Sequence, residues 1–131
     1  MKIALGVALK TGLPTFSSFS YDERGKTLMG NSPTQIVNEI GLSGIKALGI
    51  NCSFGPSAAI PVLKEYQQAF SALNVQAQPL PALIFKPNVD DKMTPEQFAK
   101  ECQAAAGIAE YIGSCCGSSP LHIKSLAEIE K

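Results

Sequence analysis

A chain of 131 residues, 45% hydrophobic and 17% charged, has the length of one ordinary domain and the composition of a folded rather than a disordered protein. Eleven Lys+Arg balance eleven Asp+Glu, so nothing pulls it generally toward nucleic acid or an anionic membrane. No segment reads as a signal peptide, and the uncharged stretch Val75 to Phe85 holds two prolines and two glutamines. No membrane span is therefore expected, and the expected compartment is the cytoplasm, where thiols stay reduced.

In chain order, Ile3, Ala4, Val7 and Ala8 recur at helical spacing and predict a helix over Met1–Thr11, stopped by Gly12 and Pro14. Thr15–Tyr21 (TFSSFSY) reads as a strand running into the loop DERGKTLMGN. Ser32-Pro33-Thr34-Gln35 is a capping box and opens a helix toward Gly41. Ala47–Cys52 (ALGINC) is a short apolar run, expected as a buried strand. Gly55-Pro56-Ser57 turns into a helix over about Ala58 to Leu73, with Pro61 near its first turn. Ala82–Phe85 (ALIF) is the third strand, closing on Lys86-Pro87-Asn88. Thr94-Pro95-Glu96-Gln97 repeats the capping box and opens a helix to about Ala106. Glu110–Gly113 is the last strand, and Ser119-Pro120 caps a final helix from Leu121 to about Ile129.

Short apolar strands alternating with helices imply a parallel sheet with right-handed crossovers, an α/β fold. Neither GxGxxG nor a Walker lysine motif is present, which argues against dinucleotide and P-loop chemistry. In such folds chemistry collects at the C-terminal ends of the strands. The sequence puts Ser18 and Ser20 in the first strand, Asn51 and Cys52 at the end of the second, Asn88 after the third and Cys115-Cys116 after the fourth.

Three of the four cysteines thus fall on one edge of the sheet, although Cys52 and Cys115 are 63 residues apart. Adjacent cysteines rarely bridge each other, because consecutive Cα atoms lie closer than a disulfide spans. The residues themselves leave two readings open, strand-end packing or a metal site, and thiolates converging on one point suit zinc. Cys102, within FAKECQAAA, reads as a small buried hydrophobe. His122, the only histidine, reads as a capping or surface residue rather than a ligand.

ALGINCSFGP, KPN and YIGSCCGSSPLHI, together with SFSYDERGKTLMGNSP, resemble the homocysteine-binding domain of the homocysteine S-methyltransferase family. That family includes the cobalamin-dependent methionine synthases and the betaine–homocysteine methyltransferases. The resemblance runs in order over nearly the whole chain. It implies zinc held by Cys52, Cys115 and Cys116, with Asn88 as a fourth ligand or nearby polar contact, and a site binding homocysteine with Asn51, Asn88 and Ser18 beside it. It implies methyl transfer to the homocysteine thiol, with K-P-N and M-T-P-E-Q-F closer to the type using methylcobalamin as an external donor.

The family fold is a (βα)8 barrel, which takes about 250 residues. The resemblance therefore makes residues 1–131 the C-terminal half of a TIM barrel, about four parallel strands from helix four through helix eight. The family's N-terminal strand and strand-four acid have no counterpart here, Gly-Gly-Cys-Cys reads Gly113-Ser114-Cys115-Cys116, and Pro-Asn-Ala-Gly reads Pro87-Asn88-Val89-Asp90. The loop from Asn88 to Thr94 is also short. Unpaired strand edges imply a partner, either a second copy in a homodimer or a complementary N-terminal half-barrel. Alternatives are a half-barrel that binds zinc and a thiol without turnover, and a truncated fragment with no independent catalysis.

Overall fold

The structure, a computed structural model, describes residues 2–73 and 79–129. Helices α1 (Lys2–Lys10), α2 (Pro33–Ile40), α3 (Pro56–Ala72), α4 (Pro95–Cys102) and α5 (Pro120–Ile129) alternate with strands β1 (Phe16–Phe19), β2 (Ala47–Cys52), β3 (Ala82–Pro87) and β4 (Tyr111–Ile112). The strands form one sheet in the order β1-β2-β3-β4, with every pair parallel. This is the expected run of βα units from a (βα)8 barrel. No described helix is long and apolar enough to cross a membrane.

Both capping boxes form: Ser32 and Thr94 each accept from the backbone N–H three residues on, and Gln35 and Gln97 reach back to the cap N–H. The boundaries depart from the sequence reading in several places, and β4 narrows from Glu110–Gly113 to Tyr111–Ile112. β1 stops at Phe19, and Tyr21 turns into the core, where its hydroxyl hydrogen-bonds that of Tyr66. α3 begins at Pro56, so Pro61 lies in the second turn, where it has no N–H to offer the Ser57 carbonyl. α4 ends at Cys102 and tightens into a 3-10 turn over Gln103–Ala105, ahead of Gly107 at φ +77. β3 runs on through Lys86 and Pro87, which pair with Asn51 and Cys52. The predicted first helix is α1, and Met1 and residues 74–78 lie outside the described residues.

Alternation along the strands separates two faces. Leu48, Ile50, Leu83 and Phe85 point outward and share one core with Ile36, Val37, Leu63, Tyr66, Phe98 and Leu126 from α2 to α5. Burying each such apolar side chain stabilises by about 1.5–3 kcal/mol. The other face carries Phe16, Ser18, Ala47, Gly49, Asn51, Ala82, Ile84, Lys86, Tyr111 and, just past β4, Gly113. Ala47 and Ile84 are buried there without joining the helix-covered core.

This second face is concave. Three strand spacings in a flat sheet separate β1 from β4 by roughly 14 Å, yet Phe16 and Tyr111 meet edge to face with ring centroids 5.2 Å apart. β2 and β3 approach closely beneath them: a Cβ on Gly49 would lie 2.1 Å from the Ile84 carbonyl oxygen, so only glycine fits. α1 buries no residue, and Ile3 and Val7 stay exposed on it.

Candidate metal centre

Parallel register brings the C-terminal ends of β2, β3 and β4 to one level. Cys52 pairs with Pro87, and the Cys115 N–H donates to the Pro87 carbonyl at 2.9 Å. The following loops are laced together. The Asn88 N–H donates to the Phe54 carbonyl at 3.0 Å, and the Val89 N–H to the Cys116 carbonyl at 2.9 Å. The β1 loop joins through the Tyr21 N–H, which donates to Ser53 Oγ at 2.7 Å.

The chain bends sharply at this rim. Among the described residues, Cys52 (φ 53) and Ser53 (φ 78) are the non-glycine residues with positive φ, an arrangement costing on the order of 1–3 kcal/mol per residue and held only where the surroundings enforce it. Gly117 has φ +80, and a Cβ there would lie 2.3 Å from the Val89 carbonyl oxygen. A glycine is thus required immediately after the cysteine pair.

The result is one cluster. The Sγ atoms of Cys52, Cys115 and Cys116 all lie within 4.8 Å of one another. Tetrahedral zinc with Zn–S near 2.3 Å places its sulfurs about 3.8 Å apart. Cys52 and Cys116 match that at 3.7 Å, whereas Cys52 and Cys115, at 2.7 Å, must open by about 1 Å. Asn88, at the same strand-end level, has its Oδ1 buried with no hydrogen-bond partner. Such an orphaned acceptor suits a cation, a water or a substrate donor. The three soft sulfurs therefore fit zinc.

Ser18 and Asn51 both face the concave side and line one open groove of about 460 Å³ with Thr27, Leu28, Met29 and Asn31. Cys102 stands apart, buried against α5, and burial pushes its thiol up to about 12, with the neighbouring Glu101 carboxylate adding to the effect. His122 is buried rather than on the surface. Its Nδ1 accepts from the Ser119 N–H at 3.1 Å, its Nε2 faces the Met93 carbonyl at 3.4 Å, and its ring meets Phe98 edge on. It is a cap, as the sequence suggests, and also pins the β3–α4 loop.

Ser53, Tyr21 and Gly117 are rim residues that sequence reasoning passed over. The signal for Gly117 was present, because a tight Cys-Cys-Gly turn calls for a left-handed residue. Nothing in the one-dimensional pattern marks Ser53.

A family model described as homocysteine S-methyltransferase matches residues 1–129. Betaine–homocysteine S-methyltransferase 1 of Rattus norvegicus is 27% identical over an alignment 143 positions long, covering 92% of this chain and 34% of the rat protein. The S-methylmethionine–homocysteine S-methyltransferase BHMT2 of the same species is 24% identical, covering 95% of this chain and 39% of that protein. A crystal structure of the homocysteine methyltransferase MmuM from Escherichia coli, in an oxidised form, superimposes with a TM-score of 0.64 at 25% identity over 93% of this chain and 39% of its own. The chain thus spans between a third and two fifths of the length of these proteins.

Burial separates Cys102 from the other cysteines, so a thiol-alkylating reagent applied to the native, metal-free protein at pH 8 is expected to modify Cys52, Cys115 and Cys116, with Cys102 following only in denaturant. Mass mapping reads the order. Labelling of Cys102 as fast as Cys115 contradicts the burial described.

Proposed function

The chain belongs to the homocysteine S-methyltransferase family, and on that premise we propose that it supplies the zinc- and thiol-binding part of a site that transfers a methyl group to homocysteine, forming methionine. The observation that carries this reading is the convergence of the Cys52, Cys115 and Cys116 sulfurs from two strand ends. In this reading the three cysteines are the protein ligands of zinc, Asn88 is the polar group at the fourth position before substrate enters, and Asn51 and Ser18 contact the amino acid.

A free thiol with pKa near 8.5 is mostly protonated at neutral pH, and its thiolate is the nucleophile. Zinc, when bound, supplies a Lewis-acid position at which a thiol sheds its proton. The remaining work falls to the chain. Three thiolate side chains make the donor set formally anionic, which keeps an incoming sulfur electron-rich. The same set favours release of the product, because a neutral thioether is a weak donor. Sulfur gains the methyl carbon as the bond from that carbon to its donor breaks. The donor comes from outside the described site. Methylcobalamin fits the sequence resemblance, and a methyl-onium compound such as betaine or S-methylmethionine fits the names of the relatives.

We further propose that residues 1–131 are one homocysteine-binding unit, equivalent to helix four through helix eight of a barrel. The other strands would come from a longer polypeptide, a complementary N-terminal half-barrel or a second copy. Among the described residues β1 and β4 each have one strand neighbour, and Phe16 and Tyr111 are half-exposed on the concave face, which supports such completion. A second reading is a half-barrel that holds zinc and a thiol without turnover. Methyl transfer appearing on addition of a complementary half would separate the two.

Metal analysis is expected to give about one zinc per chain, as one three-cysteine site requires. Cys52→Ala, Cys115→Ala and Cys116→Ala should each abolish it, and Cys102→Ala should leave it unchanged. Zinc binding should weaken as pH falls, since the ligand thiols bind as thiolates. Zinc lost with Cys102→Ala and kept with Cys115→Ala overturns the ligand set. For the assembly, sedimentation at micromolar concentration should show self-association of the isolated chain, and a compact monomer with cooperative unfolding would sink that proposal.

A further inference from the structure

We infer that Lys86 binds the α-carboxylate of the amino-acid thiol held at the three-cysteine cluster, an assignment that rests on the acceptor reading above. Along β3, Leu83 and Phe85 pack outward into the core, so Ile84 and Lys86 face the concave side. Of the concave-face residues contributed by the four strands, Lys86 alone is charged. The ion pairs among the described residues are Lys2 with Glu39 and Arg24 with Asp22, and Lys86 is in neither. A lysine on an outer surface needs no partner. Lys86 is exposed in the four-stranded sheet; in the completed barrel proposed above it would face the lumen, lose water and need an anion.

Its height matches the cluster. Lys86 pairs with Asn51, one residue below the level at which Cys52 pairs with Pro87. Its stem runs beside Gly113, where a Cβ would sit 3.5 Å from Lys86 Cγ. Gly113 in turn leads into Ser114-Cys115-Cys116, so the Lys86 stem runs beside the segment that carries two of the sulfurs, and its flexible four-carbon chain gives the ammonium reach.

Homocysteine presents a thiol at one end and an ammonium and a carboxylate at the other. With the thiol at the cluster, the carboxylate meets three anionic sulfurs above and the uncharged Ser18 and Asn51 beside it. Lys86 is the one group on the described face that can neutralise it. The other role open to this ammonium is to pair with the cysteine sulfurs themselves, and the experiment separates the two.

The full chain is loaded with cobalt(II), and the sulfur-to-cobalt absorption band reports binding of homocysteine and of 3-aminopropane-1-thiol, which keeps the thiol and amine but lacks the carboxylate. Lys86→Gln should raise the Kd for homocysteine about ten- to hundredfold, the range for a charge-assisted hydrogen bond. It should leave the Kd for the aminothiol and the cobalt content unchanged. Lys86→Arg, which keeps the charge, should hold homocysteine within a few-fold of wild type. Equal weakening of both thiols, or lost cobalt, would mean that Lys86 acts on the sulfurs, and the assignment fails. An unchanged Kd for homocysteine also overturns it. Wild-type protein that binds cobalt but neither thiol overturns the acceptor reading itself, and the Lys86 assignment with it.

Discussion

A run of backbone hydrogen bonds from loop to loop holds the rim of the sheet, and the cysteine cluster depends on it. The β3 loop sits in the middle: Asn88 donates to the loop after β2, Pro87 accepts from Cys115, and Val89 donates to Cys116. Because the main chain makes these bonds, the positions of the sulfurs follow from register and turn geometry rather than from side-chain packing. The left-handed Cys52 and Ser53 are part of the same arrangement. Their strain is offset locally, since Ser53 Oγ accepts from Tyr21 and donates to the Asn51 carbonyl. Such pre-positioning spares a metal site the free energy of gathering its ligands.

The two faces of the sheet divide the labour. The outward face is apolar, continuous with four helices, and supplies the stability. The concave face mixes small and polar residues with Ile84 and two aromatic rings, and has a glycine at the narrowest point and one lysine. Curling of the sheet turns that face toward a single axis, as the contact between Phe16 and Tyr111 shows. The cysteines lie at the C-terminal ends of the strands, and Phe16 and Tyr111 at the opposite end.

Much of this was legible in the sequence because its signals are local. Two Pro-containing capping boxes located the starts of α2 and α4 to the residue, and the apolar run ALGINC located β2. The grouping of Cys52 with Cys115 and Cys116 followed from strand-end logic and agrees with their proximity. What stayed hidden is non-local or conformational. The extension of β3 to Pro87 depends on its pairing with β2, because Lys-Pro-Asn alone reads as a turn. The burial of His122 depends on Phe98 and Met93 from another element. The left-handed backbone at Cys52 and Ser53 has no compositional sign, since neither residue type favours it.

The central claim is that three cysteine sulfurs hold a zinc ion and leave a position for a thiol. X-ray absorption at the zinc edge tests it most directly, before and after homocysteine is added. The account predicts three sulfur scatterers at about 2.3 Å with one nitrogen or oxygen, changing to four sulfurs on addition of the amino acid. A shell that already contains four sulfurs without substrate, or one that keeps its nitrogen or oxygen when homocysteine is saturating, would contradict it.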